Sequence, residues 1–175
     1  MVSGLNIGGQ HTNHRESFIM NILLKSLLLL TGLLLFTACN RHSIYNEHVD
    51  LKNGKWFKDN SAHFEVNVTD TTQLYDYFVT IRHNTDYRYS NLYLFLTTQF
   101  PDSTYTRDTL ECVLADNSGK WFGKGWSNIK EDNILLRQSL RFPKTGNYHF
   151  YFQQAMRQDT LKNILGIGIN ISESK

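Results

Sequence analysis

The segment Tyr75-Asp-Tyr-Phe-Val-Thr-Ile-Arg82 alternates apolar and polar side chains, so that Tyr75, Tyr77, Val79 and Ile81 share one face. Alternation with a period of two indicates a half-buried β-strand. The same pattern recurs at Phe64–Val68, Leu92–Leu96, Leu110–Leu114, Tyr148–Phe152 and Ile167–Ile171. Because no long helical period interrupts these segments, the chain is predicted to be all-β.

Turn-forming clusters separate the predicted strands. They are Thr69–Thr72, His83–Asp86, Phe100–Ser103, Asp116–Gly119 and Pro143–Asn147. Eight or nine antiparallel strands with one apolar face each predict a two-sheet antiparallel β-sandwich, because each sheet must bury its apolar face against another. A jelly-roll-like order is favoured over an immunoglobulin-like one, whose Cys…Trp…Cys spacing is missing. Asp70, Asp102 and Asp116 are expected to cap turns rather than bind calcium.

Composition narrows the range of partners. The 175 residues carry a formal net charge of +2, with Lys and Arg dispersed rather than clustered. Nucleic-acid binding requires a concentrated basic surface, so no nucleic-acid partner is expected. The aromatic content of 13% and the presence of only two prolines suit a well-filled β-structure.

An export signal precedes the β-rich region. Met20–Cys39 reads MNILLKSLLLLTGLLLFTAC, in which Lys25 precedes an uncharged, Leu-rich run and Thr37-Ala38 precede Cys39. This pattern is typical of a bacterial lipoprotein signal peptide, cleaved before a cysteine that carries the lipid. A transmembrane anchor is the first alternative, but the uncharged segment would reach only about 22 Å of a ~30 Å hydrocarbon core. An ordinary secretory signal is the second, and it leaves Cys39 unexplained.

These features predict four segments. Residues 1–19 are polar and are expected to be an upstream extension, with Met20 as the true start. Residues 20–38 form the signal peptide, residues 39–60 the lipidated N-terminus and tether, and residues 61–175 the β-sandwich domain. Trp56-Phe57 could also pack as a first strand. The sequence after Cys39, Asn40-Arg41-His42-Ser43, lacks an Asp next to the cysteine and lacks acidic residues, which favours the periplasmic side of the outer membrane.

Catalytic chemistry has little support in the sequence. Cys112 lies on an alternating apolar face and is expected to be a core residue rather than a catalytic thiol. The histidines of the mature chain lack zinc-protease spacing. They are His42, His48, His63, His83 and His149. There is neither a Gly-x-Ser-x-Gly turn nor a phosphate-binding glycine loop. We therefore expect no enzyme activity, no metal and no cofactor.

Several motifs resemble the gliding-motility lipoproteins of the GldH family of the Bacteroidota. They are Tyr87–Phe95, Gly119–Gly125, Phe142–Tyr148 and Ile164–Asn170, and the most specific pattern joins Asp108, Leu114, Asp116, Gly119, Trp121, Gly123 and Gly125. The resemblance covers almost the whole chain after Cys39. It implies a lipid-anchored envelope protein, associated with the machinery that moves surface adhesins, and it implies no enzyme activity.

Two functions follow from these observations. The first is a non-enzymatic component of gliding motility or a related envelope assembly, with the membrane and other envelope proteins as partners. The alternative is a glycan-binding lipoprotein, in which Trp126, Tyr87 and Tyr89 are exposed near one rim and stack on a sugar. Trp121 is expected to pack in the domain. A partner-binding module should expose an apolar patch or a free sheet edge, whereas a glycan binder should expose coplanar aromatic rings.

Overall fold

The computed structural model describes residues 24–25 and 43–174. The chain divides into two compact units, Met1–Asn40 and Arg41–Lys175, and the β-structure belongs to the second. Leu24 and Lys25 are helical and exposed. None of the described helices has the length and apolar character needed to span a bilayer. The described residues do not include residues 1–19 or Cys39. Of the predicted signal peptide they include only residues 24–25.

The described part of the second unit contains ten strands and no α-helix. They are β1 (Ser43–Asp50), β2 (Lys55–Phe57), β3 (Ala62–Val68), β4 (Tyr75–Asn84), β5 (Asn91–Gln99), β6 (Tyr105–Val113), β7 (Ile129–Leu140), β8 (Gly146–Gln154), β9 (Thr160–Lys162) and β10 (Ile164–Glu173). A single 3-10 turn, Lys52–Gly54, precedes β2. The all-β prediction is confirmed, with ten strands rather than eight or nine.

The eight long strands form two four-stranded antiparallel sheets. The first sheet has the order β1-β10-β4-β7, the second has the order β3-β8-β5-β6, and β2 pairs with β9 in a short ribbon. Among the eight long strands the first pairs with the last, the second with the seventh, the third with the sixth and the fourth with the fifth. One long hairpin wound around a core produces this pairing, which is the jelly-roll arrangement.

The core lies between the inward faces of the two sheets. In β3 the burial alternates strictly, with Phe64, Val66 and Val68 buried. Rings from opposite sheets meet across the middle, as between Tyr77 of β4 and Phe150 of β8, whose centroids are 5.3 Å apart. Burying one large apolar side chain stabilises a fold by about 1.5–3 kcal/mol, so this shared core holds the sandwich together without a disulfide among the described residues.

The domain begins earlier than the predicted boundary at residue 61. Strand β1 pairs with β10 from Ser43 to Asp50, and Trp56 of β2 is fully buried and donates its Nε1–H to the carbonyl of Asn60 at 2.7 Å. Part of the predicted tether, residues 39–60, is therefore folded. The difference has a physical cause: β1 is an edge strand that exposes most of its side chains, so its residues show no clear apolar alternation.

Each sheet has one edge strand at each flank of the sandwich. Strands β1 and β3 are the edges at one flank, and β7 and β6 are the edges at the other. Residues 114–128 connect β6 to β7. This connection, called the Trp loop below, carries the Gly-x-Trp-x-Gly-x-Gly pattern singled out in the sequence.

Candidate functional site

The Trp loop begins with a turn organised by Asp116. Its Oδ1 accepts hydrogen bonds from the backbone N–H of Ser118 at 2.8 Å and of Lys120 at 2.9 Å, and from the Ser118 hydroxyl at 2.7 Å. These bonds, with that of the Ser118 hydroxyl the strongest, lower the pKa of Asp116. Gly119 completes the turn with φ +83°, a left-handed conformation that favours glycine. Asp116 therefore has the turn-capping role predicted from the sequence.

Behind this turn, Trp121 packs on a buried pair of polar side chains. Its ring lies 4.5 Å from the ring of His83, centroid to centroid. His83 is fully buried, and its Nε2 lies 3.1 Å from Oδ2 of Asp132. Its Nδ1 lies 3.0 Å from the carbonyl oxygen of Asn84. Both nitrogens of this imidazole thus meet oxygen atoms, which satisfies a polar group that would otherwise be costly to bury.

Two glycines allow the Trp loop to lie directly against β7. A Cβ added to Gly123 would come within 2.6 Å of Oδ2 of Asp132, and one added to Gly125 would come within 2.2 Å of the carbonyl oxygen of Ile129. Real Cβ atoms do not approach so closely. Backbone hydrogen bonds between Lys124 and Glu131, at 2.8 and 3.0 Å, complete the attachment. The glycines of the motif are therefore explained by close approach of two backbone segments.

The Trp loop, although attached to β7, exposes apolar side chains. Trp126 is 92% exposed and Phe122 is 58% exposed, and the strand ends that flank the loop add Val113 and Ile129. The Ile129 N–H donates to the carbonyl of Trp126 at 3.2 Å, which closes a turn at the exposed indole. An indole so exposed adds almost no burial to the fold, so its apolar area is available to another molecule.

The predicted aromatic platform is not present in its expected form. Trp126 is exposed as expected, but Tyr87 is buried, and its hydroxyl donates to the carbonyl of Asn91 at 3.1 Å. Burial raises the pKa of Tyr87. Tyr89 is half-buried and meets Tyr87 edge-on, at an interplanar angle of 68°. The expectation of an exposed Tyr87 was wrong, because this ring packs inward near His83, at a centroid distance of 6.0 Å.

Sequence reasoning missed the buried pair under Trp121. His83 was assigned to a turn cluster, although it continues the inward series of Tyr77, Val79 and Ile81 by one further step of two. That period could have predicted its burial. Asp132 had no comparable indication in the sequence. A polar residue within Ile129–Leu140 does not show whether its side chain is buried or which strand lies beside it.

Cys112 is the fully buried thiol expected of a core residue. Burial, followed by the charges of Asp132 and Glu111, raises its pKa to about 12. A thiol with this pKa carries almost no thiolate at neutral pH. Within residues 24–25 and 43–174, no three His, Cys, Asp or Glu side chains come together as a metal site would require.

Comparisons with known proteins identify the family. Residues 43–171 match the family described as GldH lipoprotein. The chain is 34% identical over 149 residues to the gliding motility lipoprotein GldH homolog of Christiangramia forsetii, covering 81% of this chain and 91% of that protein. It is 30% identical over 161 residues to the gliding motility lipoprotein GldH of Flavobacterium johnsoniae, covering 88% and 99%.

Solved structures resemble the chain more remotely. A family 35 carbohydrate binding module from Clostridium thermocellum gives a TM-score of 0.34 at 11% identity, over 74% of this chain and 95% of that one. The corresponding module of Abf62 from Cellvibrio japonicus gives 0.31 at 13% identity, over 79% and 94%. Scores this low support no conclusion about this chain. The match over residues 43–171 and the two relatives do: the chain belongs to the GldH family of gliding-motility lipoproteins.

Proposed function

We propose that this lipoprotein is a non-enzymatic docking component of the gliding machinery or of a related envelope assembly. Lipid on Cys39 would hold it at the outer membrane, with the β-sandwich on the periplasmic side. Family membership supports the connection with gliding motility. The docking role rests on the exposure of the Trp loop, and the anchor and the location rest on the sequence around Cys39.

The exposure of Trp126 is the observation that carries the docking role. The indole is 92% exposed, yet it projects from a loop that is fixed by Gly125 against Ile129 and by Trp121 over His83. Trp, with Tyr and Arg, is enriched among the side chains that dominate the binding energy of protein interfaces. Such a support loses little conformational freedom when a partner binds, which favours affinity.

The proposed anchor would place the domain close to the bilayer. Only residues 40–42 separate Cys39 from the first residue of β1, Ser43. Four residue steps span at most about 14 Å, so the sandwich cannot move far from the lipid. Each buried methylene contributes about 0.8 kcal/mol, so two or three acyl chains hold a protein firmly at a membrane. A partner would therefore meet the Trp loop at a restricted height above the membrane.

An affinity capture from native envelopes tests the docking role. The intact lipoprotein, its Trp126→Ser variant and a Tyr105→Ser control would each be captured and their partners identified by mass spectrometry. Tyr105 is 62% exposed at the opposite end of β6, so it controls for the loss of an exposed aromatic ring. Because an interface hot spot is worth about 2 kcal/mol or more, Trp126→Ser should lower the recovery of a partner more than tenfold.

The outcomes separate the two functional classes. Recovery of envelope proteins in fixed ratio with the wild type and Tyr105→Ser, but not with Trp126→Ser, would support docking through the Trp loop. Equal recovery with all three proteins would contradict the role of Trp126. Recovery of glycan in place of protein would favour the glycan-binding alternative, and a glycan array would then be the next measurement.

A further inference from the structure

A second feature of the β6–β7 flank lies away from the Trp loop. It is an apolar groove of about 170 Å³ between the two sheets, lined by Phe100, Leu110, Leu136, Leu140, Phe142 and Phe150 among others. An apolar cavity of about 150 Å³ holds one benzene molecule, so this groove can take a hydrocarbon segment on the order of six carbons. Apolar surface exposed to water is unfavourable in free energy, and an apolar ligand that covers the groove would remove this unfavourable exposure.

The groove is open because the facing edges are polar at this end. Thr106 and Asp108 alternate with the outward residues of β6 and line the groove, but both are exposed, whereas Cys112 at the other end of the same face is buried. Arg137 and Arg141 stand on the opposite wall. Polar side chains gain nothing from being covered, so β6 and β7 stay apart here and leave the apolar floor accessible.

One polar atom among the lining residues is left unsatisfied. Tyr77 is 5% exposed, and its buried hydroxyl has no hydrogen-bond partner among the described residues. Burial raises the pKa of Tyr77 well above its ordinary value, so the hydroxyl keeps its proton. This hydroxyl has almost no exposed surface, so a ligand in the groove would meet the ring of Tyr77 rather than its hydroxyl.

The charges at the mouth favour an anionic group on the ligand. No carboxylate of the described residues forms an ion pair with Arg137 or Arg141. Both arginines are exposed, and Arg137 donates one hydrogen bond to the carbonyl of Leu136 at 3.3 Å. With the single negative charge of Asp108 also in the lining, the two arginines leave the groove with a net charge of +1. Guanidinium groups bind phosphate with paired N–H donors, so a phosphate would match this pair better than a neutral group does.

The groove lies at the end of the domain where the proposed lipid anchor begins. In the first sheet Ser43 pairs with Ser172, and Tyr75 pairs both with Glu173 and with Leu140 of the groove. Ser43 and Leu140 are therefore at the same end, three strand spacings or about 14 Å apart. If Cys39 is anchored, this end faces the bilayer surface.

We propose that the groove binds the headgroup-proximal carbons of one acyl chain of an anionic phospholipid from the membrane that carries the protein, with the phosphate held by Arg137 and Arg141. This inference rests on the proposed lipid anchor. An acyl chain fits the groove better than a peptide segment does. A peptide would bring several backbone amide groups against a floor lined mainly by apolar side chains, and buried amides without partners are costly.

Photolabelling in vesicles tests the inference. The full lipoprotein would be reconstituted in vesicles of phosphatidylglycerol whose acyl chains carry a diazirine within about six carbons of the ester, and the labelled peptides would be mapped by mass spectrometry. Label is expected on β6 and β7 residues of the groove. Thr106→Trp, which fills the groove, should lower that label roughly tenfold. The matched control Thr109→Trp, on the outward face of the same strand, should not.

The lipid head is tested by exchanging the two arginines. Arg137→Glu with Arg141→Glu should remove the preference for phosphatidylglycerol over phosphatidylcholine, which we expect to be roughly tenfold for the wild type. Thermal melting of each variant would establish that it is folded. Label that lies outside the groove, or that is unchanged by Thr106→Trp, would overturn the inference. So would a peptide that copurifies in the groove and blocks the label.

Vesicle flotation distinguishes this inference from the proposed anchor. Flotation of the wild type but not of Cys39→Ala, without label in the groove, would uphold the anchor and overturn the lipid site. If the groove is labelled but the protein does not float with the vesicles, the anchor is overturned. The groove is then upheld as a site that binds lipid without help from an anchor. Loss of both signals would overturn both.

Discussion

His83 and Asp132 meet inside the sandwich, 49 positions apart in the sequence, with Nε2 of the imidazole 3.1 Å from Oδ2 of the carboxylate. The first comes from β4 and the second from β7, and each is at least 95% buried. Trp121 covers the imidazole, and Gly123 lies against the carboxylate. The polar pair is therefore the floor on which the Trp loop is built.

Asp132→Ala is expected to destabilise the domain by about 1–3 kcal/mol, since it leaves a buried imidazole nitrogen without its hydrogen-bond partner. The measurement is urea unfolding followed by tryptophan fluorescence. A double variant, His83→Leu with Asp132→Leu, should cost much less than the sum of the two single changes, because it removes both polar groups together. Additive effects would show that the two side chains do not act as a pair.

Two glycines of the same motif should respond differently to alanine. Gly125→Ala places a Cβ at 2.2 Å from the Ile129 carbonyl oxygen and should cost about 3 kcal/mol or prevent folding. Gly119→Ala meets no atom within 4 Å, and its strain comes from φ +83° alone, worth about 1–2 kcal/mol. Gly119→Asn, which tolerates that conformation, should recover part of the loss. Equal costs at both positions would refute the close-approach explanation for Gly125.

The two thiols of the chain provide a direct count of lipidation. In the folded protein Cys112 should not react with a disulfide reagent at pH 8, because it is fully buried and its pKa is raised to about 12. In denaturant the membrane-extracted protein should show one thiol if Cys39 is lipidated and two if it is not. Cys112→Ala should then show none. Two thiols in the wild type would remove the basis of the lipid anchor.

Acid should weaken the turn that starts the Trp loop. The pKa of Asp116 is lowered, first by the Ser118 hydroxyl and then by the Lys120 N–H, from its ordinary value of 3.8. A carboxyl with a lowered folded-state pKa stabilises the fold above its ordinary value and loses that contribution as the pH falls further. The melting-temperature difference between wild type and Asp116→Asn should therefore be constant from pH 7 to 5 and shrink below about pH 4.

Ser118→Ala supplies the control for this titration. It removes the largest of the causes that lower the pKa of Asp116 while leaving the carboxylate in place. Its acid dependence should lie between those of the wild type and Asp116→Asn. A difference between wild type and Asp116→Asn that persists unchanged to pH 2 would show that the charge of Asp116 contributes nothing to the stability of the turn.

The strands of the core were predictable because each buries one face, and the residues of that face are apolar and alternate with polar ones in the sequence. Phe64, Val66 and Val68 alternate in the sequence and are buried in β3 as expected. Strand β1 was not predictable in this way, because its position at the edge leaves Asn46 and His48 exposed and its attachment to β10 is made by backbone hydrogen bonds. Backbone hydrogen bonds form with almost any side chain, so this pairing cannot be recognised from the residue types of β1.

The candidate site was predictable only in part. The exposure of Trp126 and the turn at Asp116 follow from local residue chemistry, and the structure has both. The pairing of His83 with Asp132 depends on β4 lying beside β7, a relation between segments 49 residues apart. The inward position of Tyr87 depends in turn on that pair, since its ring packs near His83. Such relations require the sheet order, which alternation alone does not encode.

The position of β10 controls when the domain can fold. This strand, Ile164–Glu173, lies between β1 and β4 in the first sheet, so the sheet is divided until the end of the chain is in place. Pairing of β1 with β10, from Ser43 with Ser172 onward, closes a long loop, which slows folding. If the predicted signal peptide directs export, this order would keep the domain unfolded, and able to pass through a translocation pore, until β10 has crossed.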